Sequence, residues 1–171
     1  MRPSVSNLAR EMLLWEAGSP QRSQHLLKVW TFAALIAEGE QLSPDLRHLV
    51  ESAAVVHDIG IRPSLQKGGT GSGPEQESEG PPAARILLEK HGYPTEETDR
   101  ICFLVGHHHT LSGVDGIDYR ILLEADYLVN AFESCFPPES IKQFGENVFR
   151  TPTGRRLLQD MFGVSLSVSC G

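Results

Sequence analysis

The stretch LVESAAVVHDIG, residues 49–60, joins an apolar helical stripe to two ionisable side chains. Apolar residues recur at helical spacing from Leu46 to Ala54, and Gly60 ends the pattern. His57 and Asp58 lie at this end, and both are residue types that bind metals and move protons. The stretch therefore predicts a buried helix that presents a functional site at its C-terminal end.

The same helical pattern recurs on both sides of this stretch. Ser-Pro at residues 19–20 and 43–44 and Thr-Pro at 151–152 are typical helix starts, because the hydroxyl residue caps the helix and proline suits its first turn. No segment shows the alternation of a strand. We predict an all-α, single-domain bundle of about six to eight helices with its core at about residues 20–135. The expected helices cover residues 5–16, 20–38, 44–59, 82–91, 95–108, 121–132 and 152–162, with 139–148 helical or irregular.

Two segments are expected to be irregular. Residues 60–80 contain the glycine-rich run 68–74, which disfavours regular structure, so we predict a long loop and a helix that starts only at Pro81-Pro82. Long loops inside compact domains are usually functional or disordered. We favour a lid over the substrate for residues 67–74, with a disordered linker as the alternative. The tail, residues 163–171, is expected to be loose.

Composition restricts the class of protein. The chain has 171 residues, with 15 Lys and Arg against 22 Asp and Glu, and its net charge of −7 argues against a general nucleic-acid binder. No apolar run is long enough to span a membrane, and the N-terminal residues show no secretory signal. The three cysteines are widely spaced and form no CxxC pair, which favours a reducing compartment. We therefore expect a cytoplasmic protein that does not associate with membranes and that can form a homodimer.

Histidines and aspartates are placed as in a metal site of a helical bundle. His25, the His57–Asp58 pair, the His107–His108 pair and Asp126 all fall on predicted helices or helix ends. Side chains from several helices projecting inward are the usual way to build such a site. Asp126 lies in the apolar run 121–129, where a carboxylate needs a metal or strong hydrogen-bond donors. Mixed imidazole and carboxylate ligands suit Mn, Fe, Ni, Zn or Co, with Mg also considered, as one or two divalent ions.

The pattern His25, His57–Asp58 and Asp126 resembles the HD domain superfamily of metal-dependent phosphohydrolases, which are all-helical bundles. The motif His57-Asp58-Ile59-Gly60 matches the family's extended form HDxG, and Ala125-Asp126 matches the small-residue–Asp end of the motif. The stretches around residues 79–82, 106–110 and 115–119 look like a small bacterial branch of the superfamily. The resemblance implies that His25, His57, Asp58 and Asp126 hold one divalent metal.

The resemblance also bears on a second metal. In two-metal relatives such as the HD-GYP phosphodiesterases, Asp58 would bridge two ions and a His pair would hold the second, here His107 and His108. Those relatives have a further His between the two motifs, where this chain offers Glu79 as the nearest chemical substitute. The full HD-GYP pattern is absent, so cyclic-dinucleotide hydrolysis is weakly supported. His109 is expected to support the site from outside or to face solvent, and His48 and His91 to lie on the surface.

The resemblance implies metal-dependent hydrolysis of a phosphomonoester, a phosphodiester or a pyrophosphate. A metal lowers the pKa of a bound water and neutralises charge on a phosphate oxygen. We assign Asp58, Lys67 and His107 to catalysis, and Lys67 and Arg62 to binding the substrate phosphate; an exposed loop lysine is the alternative for Lys67. The expected substrate is a small phosphorylated metabolite, with a nucleotide favoured. The alternatives are a di-iron, oxygen-using enzyme of the same fold and a regulatory module that binds nucleotides without turnover.

Overall fold

A computed structural model describes residues 2–168, and helices are the only regular secondary structure in this range. The all-helical fold predicted from the sequence is confirmed. The helices are, in chain order, α1 (Val5–Trp15), α2 (Pro20–Gly39), α3 (Pro44–Val56), α4 (Ile61–Gln66), α5 (Gly73–Lys90), α6 (Thr95–Val105), α7 (Ile117–Glu133), α8 (Pro138–Asn147) and α9 (Pro152–Phe162). None of these helices is both long and apolar enough to cross a membrane.

Helices α2, α3 and α7 pack together and form the centre of the bundle. Their facing side chains are buried, and α7 is buried on nearly all sides because it passes through the middle of the molecule. Hydroxyl caps fix the start of two helices: Ser43 Oγ accepts the N–H of Leu46, and Thr151 Oγ1 accepts the N–H of Gly154. The buried carboxylate of Glu124 accepts the backbone N–H groups of Arg150 and Thr151, which attaches the start of α9 to α7.

The prediction of a loop up to residue 80 is wrong. Residues 61–66 form the short helix α4, and α5 begins at Gly73 and continues through Pro81 and Pro82. A capping box between Ser72 and Glu75 starts α5 eight residues before the prolines. Proline inside a helix costs about 3 kcal/mol, and burial of the α5 face that packs on α6 offsets this cost.

The remaining loop, residues 67–72, is organised by one carboxylate. Glu75 Oε2 accepts hydrogen bonds from Ser64 Oγ at 2.8 Å and from the N–H groups of Thr70 at 2.9 Å and Ser72 at 3.0 Å. The bond from Ser64, followed by those from Ser72 and Thr70, lowers the pKa of Glu75 to about 2. Gly68 and Gly71 supply the positive φ angles that the loop needs. The loop is thus held in place by contacts with α4 and α5.

Gly60 allows α5 to approach the end of α3. Its φ of −73° is ordinary, but a Cβ at this position would lie 2.6 Å from the carbonyl oxygen of Gln76 and 2.7 Å from the N of Gly80. Gly80 is equally confined, since its Cβ would lie 2.6 Å from Val105 Cγ1. The two glycines therefore bring α4, α5 and α6 together, and the close approach places Gln76 beside the His57–Asp58 pair.

The C-terminal part of the described chain packs on α8 and α9. Residues 139–147, part of the segment predicted to be helical or irregular, form most of helix α8. Residues 163–168 have no regular structure, but the N–H of Leu166 donates to Gln159 and the N–H of Ser167 donates to Glu146. Residue 1 and residues 169–171, with the rest of the predicted loose tail and Cys170, lie outside the described residues.

Replacing Gly60 by alanine should destabilise the fold. The added methyl group meets backbone atoms of α5, which cannot move aside as a side chain can, so we expect a loss of about 2 kcal/mol in the free energy of unfolding. Urea denaturation followed by circular dichroism measures it. Ser78→Ala, on the exposed side of α5, is the control and should change stability by less than about 0.5 kcal/mol. Equal stability of the two variants would contradict the close-approach explanation.

Candidate metal centre

Four side chains from three parts of the chain meet at the centre of the bundle. His25 lies on α2, His57 caps the C-terminal end of α3 and Asp58 follows it, and Asp126 lies on α7. We refer to these four residues as the acceptor cluster. His25 Nε2 lies 3.2 Å from His57 Nε2, 3.1 Å from Asp126 Oδ1 and 3.3 Å from Asp58 Oδ2. His57 Nε2 lies 3.4 Å from each of the same two carboxylate oxygens.

Hydrogen bonds on the outer side of each ring fix how the imidazoles face the cluster. His57 Nδ1 lies 2.7 Å from the carbonyl oxygen of Ala54, so this nitrogen carries the proton and donates it. His25 Nδ1 lies 2.8 Å from Glu133 Oε2, a carboxylate that likewise accepts a hydrogen bond from the ring. In the neutral form, the Nε2 atom of each ring then points a lone pair into the cluster. A carboxylate or carbonyl behind a ligating histidine is typical of metal sites.

The cluster brings lone pairs together in a buried place. His57 is fully buried, and His25 and Asp126 are nearly so. Burial alone lowers the pKa of His57, but the Asp58 and Asp126 carboxylates outweigh it and raise that pKa well above its ordinary value. Burial alone raises the pKa of Asp58, but His57 and His108 outweigh it and hold that pKa well below its usual range. The cluster therefore needs positive charge, either protons on the rings or a bound cation.

The spacing of the cluster fits a divalent cation. Imidazole nitrogens and carboxylate oxygens bind zinc and similar ions at about 2.0–2.2 Å. Ligand atoms at that radius lie about 3.0–3.5 Å apart in tetrahedral or octahedral arrangements. The two ring nitrogens lie 3.1–3.4 Å from each other and from an oxygen of Asp58 and of Asp126, and the ligand atoms of His25, His57 and Asp58 all lie within 4.8 Å of one another. Two imidazoles with two carboxylates suit a borderline metal better than calcium, which prefers oxygen ligands alone. The residues present thus fit the divalent ion that the sequence predicts, without selecting one element.

Comparison with known proteins agrees with this geometry. The sequence profile of the HD domain matches residues 22–131, which is more than half of the chain. The chain belongs to the HD domain family. Its fold is similar to that of a predicted HD superfamily hydrolase from an uncultured Thermotogales bacterium, with a TM-score of 0.66 and 22% identity over 93% of this chain and 83% of the other. At this identity the similarity establishes the fold alone. No curated protein sequence matches the chain.

A second group of metal-ligating side chains shares Asp58 with the acceptor cluster. Asp58 Oδ2 faces His25 and His57, whereas its other oxygen, Oδ1, lies 3.3 Å from His108 Nε2. The ligand atoms of Asp58, His108 and His109 lie within 4.8 Å of one another, close enough for a shared ion. His108 Nδ1 donates to the carbonyl of Val105 at 2.8 Å, so its Nε2 also points a lone pair inward. In this HD domain Asp58 therefore belongs to both groups of side chains that could hold a cation.

Gln76 completes the second group. Its Oε1 lies 3.2 Å from His108 Nε2 and 2.8 Å from His109 Nε2, and its Nε2 donates to the carbonyl of Gly71. The sequence prediction missed Gln76 because it assigned residues 60–80 to a loop. Because α5 begins at Gly73, Gln76 lies on this helix one turn before Gly80, and it borders the same cavity as Asp58. Glu133 was also missed, although its spacing of seven residues from Asp126 on one helix is a signal for a shared face.

The structure does not bring His107 to the centre, which corrects its predicted roles as a second-metal ligand and in catalysis. Helix α6 ends at Val105, and the turn that follows directs the side chains of His108 and His109, rather than those of His107 and His108, towards Asp58. The His107 ring stacks on Phe103 with 4.1 Å between ring centroids, and its Nδ1 donates to the Phe103 carbonyl. His109, which was expected to support the site from outside or to face solvent, lies instead with Asp58 and His108, where His107 was predicted.

Glu79, Lys67 and Arg62 also lie away from the cluster. Lys67 Nζ donates to Glu79 Oε2 at 2.7 Å, and the two side chains line a surface cavity that includes none of the cluster residues. Glu79 is one turn away from Gln76, so Gln76 occupies the position that was expected for Glu79. The Arg62 guanidinium donates to the carbonyl of Trp15 at the end of α1. Neither cation faces the acceptor cluster, which corrects their predicted role as phosphate ligands.

Two adjoining cavities open onto the candidate centre. The smaller, of about 250 Å³, reaches the cluster itself and is bordered by Arg22 and Gln76. The larger, of about 550 Å³, runs along α7 towards α8 and is bordered by aromatic side chains. Both include His109, Asp126 and Asn130 in their walls, so they form one cleft with the cluster at its base. Arg22 on α2, which the sequence prediction did not single out, is thus the cation that borders the cluster cavity.

We expect the acceptor cluster to bind a divalent metal. The purified protein should gain thermal stability on addition of Mn²⁺, Fe²⁺, Zn²⁺ or Ni²⁺, by about 2.7 kcal/mol at a metal concentration of 100 times Kd. Asp126→Asn keeps the size of the side chain but removes a charged ligand, and should abolish the shift. Metal content and thermal unfolding measure the effect, with Asp160→Asn, the same change at an exposed position of α9, as the control. Full metal binding by Asp126→Asn would contradict the assignment.

Glu133 should set the metal affinity through His25. Replacing the carboxylate that accepts the His25 Nδ1 proton should weaken metal binding by about 10- to 100-fold, as for other carboxylates behind a ligating histidine. Titration of Glu133→Gln with metal measures the change in Kd. Glu139→Gln on α8 has the same change in charge on an exposed side chain and should bind as wild type. Identical affinity of both variants would show that Glu133 serves only its ion pair with Lys28, 2.7 Å away.

Proposed function

We propose that this HD domain protein is a metal-dependent phosphohydrolase that acts on a small phosphorylated metabolite, with a nucleotide as the favoured class. The observation that carries the proposal is the acceptor cluster, in which two imidazole nitrogens 3.2 Å apart each lie 3.1–3.4 Å from an oxygen of Asp58 and from an oxygen of Asp126 at the base of a cleft. When bound there, a divalent ion supplies a Lewis acid that activates water and neutralises a phosphate oxygen.

In this proposal, His25, His57, Asp58 and Asp126 hold the first ion. The protein arranges these ligands before the ion arrives: Ala54 and Glu133 fix the two rings, and the buried base of the cleft keeps the carboxylates from turning towards solvent. Such preorganisation matters because an ordered polar site does not have to rearrange during the reaction. Asp58 has the further role of accepting a hydrogen bond from the attacking water, since its side chain is the most exposed of the four.

A second ion is proposed for Asp58, His108 and His109. The two oxygens of Asp58 face opposite groups of histidines, which is the arrangement of a carboxylate shared by two ions. Two ions about 3.5–4 Å apart can stabilise both the attacking and the leaving oxygen of a phosphoryl transfer. Gln76 then orients the His109 imidazole, whose Nε2 lies 2.8 Å from Gln76 Oε1, rather than acting as a charged ligand.

The same shared carboxylate supports one alternative. A di-iron enzyme that uses oxygen also needs a carboxylate between two imidazole-ligated ions, and the fold alone does not distinguish the two functions. The alternative predicts that the protein purified anaerobically contains iron and consumes oxygen with a candidate substrate. The phosphohydrolase proposal predicts phosphate release under anaerobic conditions with a redox-inactive metal.

Arg22 is the proposed contact for the substrate phosphate. It borders the cluster cavity, and its Nε donates to the buried carboxylate of Glu16, which holds the guanidinium against the cavity wall. Arginine binds phosphate through two parallel N–H groups, and the edge of Arg22 that faces away from Glu16 is suited to this contact.

Hydrolysis should depend on Asp58. With a panel of phosphate esters and each candidate metal, the wild-type protein should release phosphate, and Asp58→Asn should lower kcat/KM by at least about 100-fold. The circular dichroism spectrum should be unchanged, because Asn keeps the size of the side chain. Glu89→Gln, at an exposed position of α5 outside the acceptor cluster and the second group, is the control. Undiminished metal-dependent hydrolysis by Asp58→Asn would overturn the proposal.

Substrate affinity should depend on Arg22 rather than on Lys67. Arg22→Gln should raise KM by about 10-fold or more because a charge-assisted contact with phosphate is lost. Lys67→Gln and Arg62→Gln should leave KM within a factor of about two, since both cations are engaged elsewhere. Initial-rate measurements over a range of substrate concentrations distinguish the three. A rise in KM confined to Lys67→Gln would restore the role first predicted for the glycine-rich loop.

A further inference from the structure

The larger cavity of the cleft has an aromatic wall that the chemistry of hydrolysis does not require. We call it the aromatic cavity and define it by Leu111, Leu123, Tyr127, Phe136 and Phe144. Tyr127 and Phe144 stack with 3.6 Å between ring centroids and an angle of 3° between their planes, and Phe136 lies 5.9 Å from Tyr127. These rings form an apolar surface that begins where the metal centre ends.

Two of these apolar side chains remain open to solvent. Phe136 is 38% exposed and Leu111 is 49% exposed, and both line the cavity. Exposed apolar groups around a concave site with a few polar groups are typical of ligand pockets. The volume of about 550 Å³ also lies in the range of small-molecule sites.

The backbone holds Phe136 at the entrance by an unusual turn. Cys135 has a φ of 52°, in the left-handed region that non-glycine residues rarely adopt. The N–H of Phe136 donates to the carbonyl of Ala131, which closes the end of α7. An asparagine or glycine at position 135 would remove the strain, so the turn is kept at a cost of about 1 kcal/mol. Its result is a fixed position for the Phe136 ring beside the cavity.

The charges of the cleft limit how much phosphate it can hold. Among the described residues that border either cavity, Arg22 is the one cationic side chain, and it is already paired with Glu16. Asp58, Asp126 and Glu133 border the same space. Ions held by the cluster and one arginine can balance a single phosphate, whereas a triphosphate would place further negative charge against these carboxylates or the apolar wall.

We propose that the substrate joins a single phosphate to a flat, uncharged aromatic group, and that this group lies in the aromatic cavity against Tyr127 and Phe144 while the phosphate reaches the metal centre. The two ends of the cleft share His109, Asp126 and Asn130, so one molecule can occupy both. This inference rests on the proposed function and narrows it. It makes Phe136 and Phe144 residues that determine specificity rather than residues that act on the phosphate.

Matched substrates test the proposal. With metal-loaded wild-type protein, 1-naphthyl phosphate and a nucleoside 5′-monophosphate should show a kcat/KM at least about 10-fold higher than glycerol 3-phosphate, which has no ring, and higher than the corresponding nucleoside triphosphate. Equal rates for the ring-bearing and ring-free esters, or a preference for the triphosphate, would overturn it.

Variants of the cavity separate recognition from chemistry. Phe136→Ser should raise KM for 1-naphthyl phosphate by about 10-fold and leave kcat and the rate with glycerol 3-phosphate unchanged. Phe144→Leu, which keeps an apolar side chain but loses the flat ring, should act in the same direction and guards against loss of folding. Phe132→Ser is the control, because Phe132 is 68% exposed, lies near Lys28 and does not border the cavity. Unchanged KM in both cavity variants would contradict the proposal.

Ligand binding distinguishes a failure of this inference from a failure of the proposed function. If wild-type protein hydrolyses no ester in the panel, the phosphohydrolase proposal fails, and calorimetric titration with 1-naphthyl phosphate then tests the cavity alone. Binding that weakens about 10-fold in Phe136→Ser but not in Phe132→Ser would support the aromatic cavity as a ligand site. Absence of binding to wild-type protein would overturn it.

Discussion

The lone pairs that converge between α2, α3 and α7 are the constraint on which the rest of the structure depends. Nε2 of His25 and of His57 lie within 3.4 Å of each other and of carboxylate oxygens from Asp58 and Asp126. Without positive charge this arrangement repels itself, and burial strengthens the repulsion. The bundle keeps it in place through the large apolar core that surrounds α7. The free energy gained by burying the apolar core thus keeps these side chains close together despite their mutual repulsion.

Helix α5 supplies Gln76, the side chain that contacts both histidines of the second group. It reaches Asp58 because Gly60 and Gly80 have no side chains at the crossing of α4, α5 and α6. The glycine of the HDIG motif therefore serves the approach of a neighbouring helix, not an unusual backbone angle. The consequence is that Gln76 lies beside His108 and His109, on the side of Asp58 opposite the first group.

Much of the fold could be predicted from the sequence, because the Ser-Pro and Thr-Pro pairs at helix N-termini and the helical periodicity are local signals. The acceptor cluster was also accessible, because its residues lie on strongly periodic helices or at their ends. The extent of α5 could not be predicted, because Pro81 and Pro82 resemble the start of a helix. In the structure, packing on α6 overrides this local preference. The choice between His107 and His109 depended on the turn after Val105, whose direction is set by tertiary contacts: Tyr119 donates to the carbonyls of His107 and Thr110. Periodicity cannot predict such a turn.

Part of the net negative charge of the chain lies at the cleft. Asp58 and Asp126 make the space around the cluster unfavourable for an anion, and Arg22, shared with Glu16, compensates little of this. A cation bound by the cluster would reverse the sign of the potential there, because a divalent ion would add two positive charges beside the Asp58 and Asp126 carboxylates. Metal and phosphate should therefore bind cooperatively, with each raising the affinity of the other by the same factor. On this argument the carboxylates that exclude anions from the metal-free protein are the residues that make phosphate binding conditional on the metal.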